Sequence, residues 1–62
     1  NYDEAVRLLT EAVTVSEDLD YPLPAALAWR RLGDARAAAG DPGGADEAWK
    51  QAAAITAGIG AP

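Results

Sequence analysis

Between Tyr2 and Asp18 the apolar residues Ala5, Leu8, Leu9, Ala12 and Val15 recur at spacings of three and four, which predicts a helix with one apolar face. Asp3 and Glu4 stand in its first turn, where the positive end of the helix dipole favours acids. The stretch Asp20-Tyr21-Pro22-Leu23-Pro24 cannot be helical throughout, because each proline pushes the residue before it toward extended geometry. A second helix is expected from Pro24, since proline suits the first helical position. It runs through Ala25, Ala28, Trp29, Leu32, Ala35 and Ala39, with Gly40 as its left-handed terminator. Asp41-Pro42 reads as an N-cap and first residue of a third helix carrying Ala45, Ala48, Trp49, Ala52 and Ile55 on one face. Gly58 or Gly60 is expected to end it, and Gly43-Gly44 to weaken its first turn by roughly 1 kcal/mol per glycine. The pattern predicts an all-α chain with helices near 2–18, 24–39 and 42–57, the last two antiparallel.

Shifted by 40 positions the chain matches itself: Ala5 falls on Ala45, Leu9 on Trp49, Ala12 on Ala52, Val15 on Ile55, Ser16 on Thr56, Leu19 on Ile59 and Pro22 on Pro62. The first and third helices are therefore copies of one element. Another helix like the second is expected to begin about two residues past Pro62, and Asn1 is not an initiator methionine. The expectation is a piece of a longer array.

Trp29-x-x-Leu32-Gly33-x-x-Arg36, followed by Ala45-x-x-x-Trp49-x-x-Ala52, resembles the tetratricopeptide-repeat (TPR) signature of Trp, Leu-Gly and Tyr, then Ala, a bulky aromatic and Ala. Ala35 and the Gly40-Asp41 turn also stand where that family places a small residue and its interhelical turn. The resemblance implies antiparallel helix pairs of a TPR-type α-solenoid. Residues 1–18 would be the second helix of a partial repeat, 19–23 a linker, 24–57 one complete repeat, and 58–62 the start of the next linker. It also implies a structural set of Trp29, Leu32, Gly33, Ala35, Ala45, Trp49 and Ala52. Gly33 would stand at the helix crossing opposite Ala45, with both tryptophans largely buried as wedges. Two positions depart from the pattern. Arg36 replaces the usual tyrosine, so an arginine stem would fill the wedge with its head in water; Ala57 replaces the proline that commonly ends a repeat. The 40-residue period exceeds the common 34 and resembles the family's long-period subgroup. The alanine- and aspartate-rich style and the phrase Ala28-Trp29-Arg30-Arg31-Leu32-Gly33-Asp34 resemble the C-terminal repeat arrays of large bacterial transcriptional regulators, the Streptomyces antibiotic regulatory protein type among them.

Composition narrows the choices further. Half of the 62 residues are apolar, 16 of them alanine and 15 larger, so helices can approach closely while burying little area per contact. A chain this short usually needs disulfides, a metal or a partner; with no Cys and no His, a partner is what remains. No apolar run approaches the ~20 residues needed to cross a bilayer, so no membrane partner is expected. The lack of cysteine is compatible with a reducing cytosol, and a cytoplasmic location is the expectation. Ten acidic residues against five basic give a net charge of −5, which repels a phosphate backbone. A DNA-binding reading of the three helices fails on the same ground, since the third sets Asp46 and Glu47 against Lys50 alone.

No catalytic apparatus is expected: the hydroxyls at Thr10, Thr14, Ser16 and Thr56 have no base spaced to activate them, and no cofactor or metal motif is present. The acidic group Glu17, Asp18 and Asp20 lacks the glycine and terminal glutamate of a calcium loop and reads as a solvated helix end. In the resembled family the groove side of the second helix would hold Leu27, Arg30, Arg31 and Asp34, whose guanidiniums suit an acidic peptide or a terminal carboxylate. The plainer reading of that face is an Arg30–Asp34 pair four residues apart on a solvated surface. The function expected is a scaffold binding a protein, a peptide or another domain of its parent chain. A self-association element of a transcriptional regulator is the alternative. The face Ala5, Leu8, Leu9 and Ala12 would lack a covering helix, so the isolated chain is expected to self-associate.

Overall fold

A computed structural model describes residues 1–60. Three helices make up the fold: α1 (Tyr2–Asp18), α2 (Pro22–Ala38) and α3 (Pro42–Gly60), and no strand occurs among the described residues. The all-α class is as the periodicity predicts. Pro62, on which the expected next helix rests, lies outside the described residues, as does the end of the expected 58–62 linker.

Two boundaries correct the sequence reading. Helix α2 starts at Pro22, two residues before the expected Pro24. Both prolines sit in its first turn, where the backbone N–H groups have no intrahelical partner. Pro22 and Pro24 lack that group altogether, which leaves fewer donors to cap, and Tyr21 makes no side-chain cap. Helix α3 runs past the expected span of 42–57, through Gly58 to Gly60, the second of the two glycines expected to end it.

The two interhelical turns are the same structure. After α1, the Asp20 N–H bonds the Glu17 carbonyl (3.1 Å) and the Tyr21 N–H bonds the Ser16 carbonyl (2.9 Å); after α2, Gly40 bonds Ala37 (3.1 Å) and Asp41 bonds Arg36 (2.9 Å). These are Schellman closures, each with a left-handed residue next after the C-cap: Asp20 at φ 58° and Gly40 at φ 87°. The helices consequently begin every 20 residues. Ala5, Ala25 and Ala45 donate the first helical bonds to the carbonyls of Asn1, Tyr21 and Asp41, at 3.2, 3.0 and 3.0 Å. Side chains cap the outer two starts: the Asn1 Oδ1 accepts from the Asp3 and Glu4 N–H groups, and the Asp41 Oδ1 accepts from Gly44 at 3.0 Å.

Helix α2 lies in the middle and packs on both neighbours, whereas α1 and α3 do not pack along each other. Contacts run antiparallel in both pairs: Glu17 meets Trp29 while Val6 shares a depression with Arg36 and Ala39, and Arg36 meets Gly44 while Trp49 meets Gly33 and Asp34. The molecule is a thin slab, 38 × 21 × 11 Å, so little can be hidden. Its core is Val13, Ala28, Leu32 and Ala48, backed by Val6, Leu9 and Trp29. Leu32, at 1% exposure, is the one large side chain fully enclosed among the described residues. Helix α1 faces α2 through Val6, Leu9 and Val13, a face rotated from the expected Ala5, Leu8, Leu9, Ala12 and Val15. Of that expected face only Leu9 packs on the core, and Leu8, Ala12 and Val15 are exposed.

Candidate interaction groove

Between α2 and α3 runs an open depression of about 700 Å³, lined by Ala26, Leu27 and Arg30 from α2 and by Trp49, Ala52, Ala53, Thr56 and Ala57 from α3. Half of its lining side chains are the methyl groups of alanines. Leu27 and Trp49 supply the larger apolar surfaces, and Arg30 supplies a cation.

The tryptophans do different work from that expected. Trp49 is 41% exposed and forms part of the groove wall, which corrects the expectation that both would be largely buried. One part of its indole covers Gly33, where an added methyl would overlap the ring. Its Nε1 donates to the Asp34 Oδ1 at 3.1 Å. Gly33 therefore makes room for Trp49, not for Ala45 as expected, although Ala45 is fully buried. Trp29 is half-buried against the core, and its Nε1 donates to the Glu17 Oε2 at 3.1 Å. Each tryptophan thus ties its helix to a carboxylate on the helix before it. Glu17 is a tether rather than part of a merely solvated end.

The remaining members of the structural set, Leu32 and Ala52, are buried and Ala35 is half-buried. Arg36 departs from expectation: its stem is half-buried, but its Nη1 donates to the Gly44 carbonyl at 3.2 Å instead of turning to water. Arg36 thereby joins the end of α2 to the start of α3.

Of the four residues expected in a groove, Leu27 and Arg30 line it. Asp34 stands at its edge, holding Trp49, and is not paired with Arg30. Arg31 is exposed and is not part of the lining. Sequence reasoning missed the α3 wall, Trp49, Ala53, Thr56 and Ala57. Their spacing of three and four was a usable signal, obscured because α3 is apolar on several sides.

The ion pairs among the described residues are surface pairs within single helices: Arg7 with Glu4 and with Glu11, each at 3.2 Å, and Lys50 with Asp46 at 3.0 Å. The hydrogen bond and charge of Asp46 raise the Lys50 pKa above its ordinary value. Arg30 has no ion-pair partner among the described residues. No cluster of three metal-ligating side chains occurs among them, and no helix is long and apolar enough to cross a membrane. Comparison of the chain with protein-family models, with curated proteins and with solved structures found no match.

Proposed function

We propose that the chain is a protein-binding helical scaffold of the tetratricopeptide type, with no chemistry of its own, and that the α2–α3 groove is its binding surface. The observation that carries this reading is the groove itself. It is open and lined by small apolar groups, with a leucine and an indole for apolar contact and one cation not engaged in a salt bridge. Such a surface suits the apolar face of a helix, with an acidic residue of that helix set against Arg30. The signature residues Trp29, Leu32, Gly33, Ala45, Trp49 and Ala52 support the family assignment. The likeness of residues 28–34 and of the alanine- and aspartate-rich style to regulator repeats supports a parent in a bacterial transcriptional regulator, and with it a cytoplasmic location.

Selection of helical peptides against the chain tests the proposal. Acidic amphipathic peptides are expected to be enriched. Arg30→Glu is expected to weaken them roughly tenfold, about 1.4 kcal/mol, and Arg31→Glu, outside the groove, to leave them unchanged. Binders insensitive to Arg30→Glu, or equally sensitive to Arg31→Glu, would remove the groove from the proposal.

A further inference from the structure

We propose that the groove takes α1 of a second copy of this chain, so that molecules stack head to tail; this names an occupant for the groove of the scaffold reading and rests on it to that extent. The argument starts from the 20-residue register. Counted from each N-cap, every helix carries a first row at the fourth, seventh and eleventh following residues, and a second row at the fifth, eighth, twelfth and fifteenth. In α2, which has a neighbour on each side, both rows are covered: the first is buried throughout, and every member of the second is buried or half-buried.

The outer helices each cover one row, and not the same one. Helix α1 covers its second row, half-buried or buried throughout, while Leu8 and Ala12 of its first row are exposed. Helix α3 buries its entire first row and leaves its second row exposed, Trp49 only in part, because its ring also covers Gly33 of α2. Three members of that open second row, Trp49, Ala53 and Thr56, line the groove. Within the molecule, then, α1 meets α2 with its second row and α3 meets α2 with its first. The row left open on α1 is the kind that α3 uses, and the row left open on α3 is the kind that α1 uses. A junction between α3 of one copy and α1 of the next would supply each with its missing partner.

Charge and shape fit the same occupant. Val15 and Leu19 extend the open row of α1, and both are more than half exposed. Glu4, Glu11 and Asp18 run along one edge of that stripe at intervals of seven; Glu4 and Glu11 share Arg7, and Asp18, outside those pairs, is the acid of that edge set to meet Arg30 of the groove. A helix of 17 residues is about 25 Å long. Seating one face of it buries on the order of 1,000 Å² in total, at the low end for a specific interface, so association belongs at high concentration. The contact is heterologous, with different surfaces on the two partners, and does not close on itself.

Sedimentation equilibrium of the 62-residue chain from roughly 10 μM to 1 mM tests this, together with two variants at exposed positions. Leu8→Glu blocks the stripe and Ala53→Glu blocks the groove. For the unsubstituted chain the average mass is expected to pass that of a dimer and keep rising. Each variant alone is expected to be monomeric, and an equimolar mixture to give a one-to-one dimer, because the mixture retains one intact junction. Circular dichroism confirms folding, with Val15→Glu and Ala57→Glu as substitutes if helicity is lost. A monomer throughout, a variant that still dimerises alone, or a mixture that stays monomeric would each overturn the stacking. A monomeric chain whose groove still captures selected peptides in an Arg30-dependent way would overturn the stacking alone and leave the scaffold standing.

Discussion

At the scale of single residues, the wall of the groove depends on a missing side chain. Gly33 is buried, and the Trp49 indole occupies the space where a side chain would be. The indole N–H then reaches Asp34 on the next residue of the same helix. Gly33→Ala is expected to push the ring away, break that hydrogen bond and cost about 1 to 3 kcal/mol, the range for overpacking a fitted site. Gly58→Ala is the control, since nothing lies near a methyl group there; it removes a helical glycine and is expected to stabilise by up to about 1 kcal/mol. Thermal melts with near-ultraviolet circular dichroism of the tryptophans check both. Equal effects of the two substitutions would show that the indole adapts without strain. The sequence made Gly33 legible as a place of close approach but not what approaches it. Spacing reveals that a small residue lies on a buried face, whereas the choice between Ala45 and Trp49 as its cover depends on the relative rotation of two helices.

At the scale of elements, the chain is punctuated twice by one device, a Schellman closure followed by an N-cap and proline. Gly40 and Asp20 occupy the same left-handed position in the two copies, yet only the first was readable as a terminator. Glycine enters that region freely, while an aspartate there carries a modest steric cost and leaves a weaker sequence signal. The start of α2 differs from the expected Pro24 for a related reason: Pro22 and Pro24 both look like breakers, and both are tolerated because a first turn does not use their missing N–H groups. On α1 the difference is one of face. Apolar residues at 5, 6, 8, 9, 12, 13 and 15 cover about half the helix circumference, so periodicity finds the helix but does not choose between two adjoining rows. The equivalence of the turns carries a prediction of opposite signs. Gly40→Ala is expected to destabilise by about 1 kcal/mol through backbone strain alone, since nothing crowds the site. Asp20→Gly is expected to stabilise by about 0.5 kcal/mol, relief of strain exceeding the added freedom of the unfolded chain. In a domain of this size those changes are shifts of several degrees, down and up respectively. A fall in melting temperature for both would mean that the Asp20 carboxylate contributes more than its backbone costs.

At the scale of the whole molecule, stability should be graded across the slab rather than uniform. A 62-residue domain has roughly 3 to 9 kcal/mol in total, and in repeat-like stacks it is distributed through nearest-neighbour interfaces. Helix α2 belongs to two such interfaces, α1 and α3 to one each. The α3 interface encloses Ala45, Ala48 and Ala52 and is fastened by Trp49–Asp34 and Arg36–Gly44; that of α1 encloses Val13 from its own side and is fastened by Trp29–Glu17. The α1 interface also covers Val6 and Leu9 in part, but the α3 interface is the more extensive of the two, so opening α1 breaks less than opening α3, and opening α2 requires breaking both. Amide hydrogen exchange in dilute solution is expected to rank protection as α2 above α3 above α1, with α1 opening in a sub-global step. Raising the concentration should change α1 most. If its Leu8–Leu19 stripe enters the groove of another copy, α1 gains a second interface and its protection should approach that of α2, while the protection of α2 amides remains set by the interfaces within its own molecule. Protection of α1 that equals that of α2 in dilute solution would show that one interface suffices to hold an outer helix, and that the open rows contribute nothing to the stability of this fold.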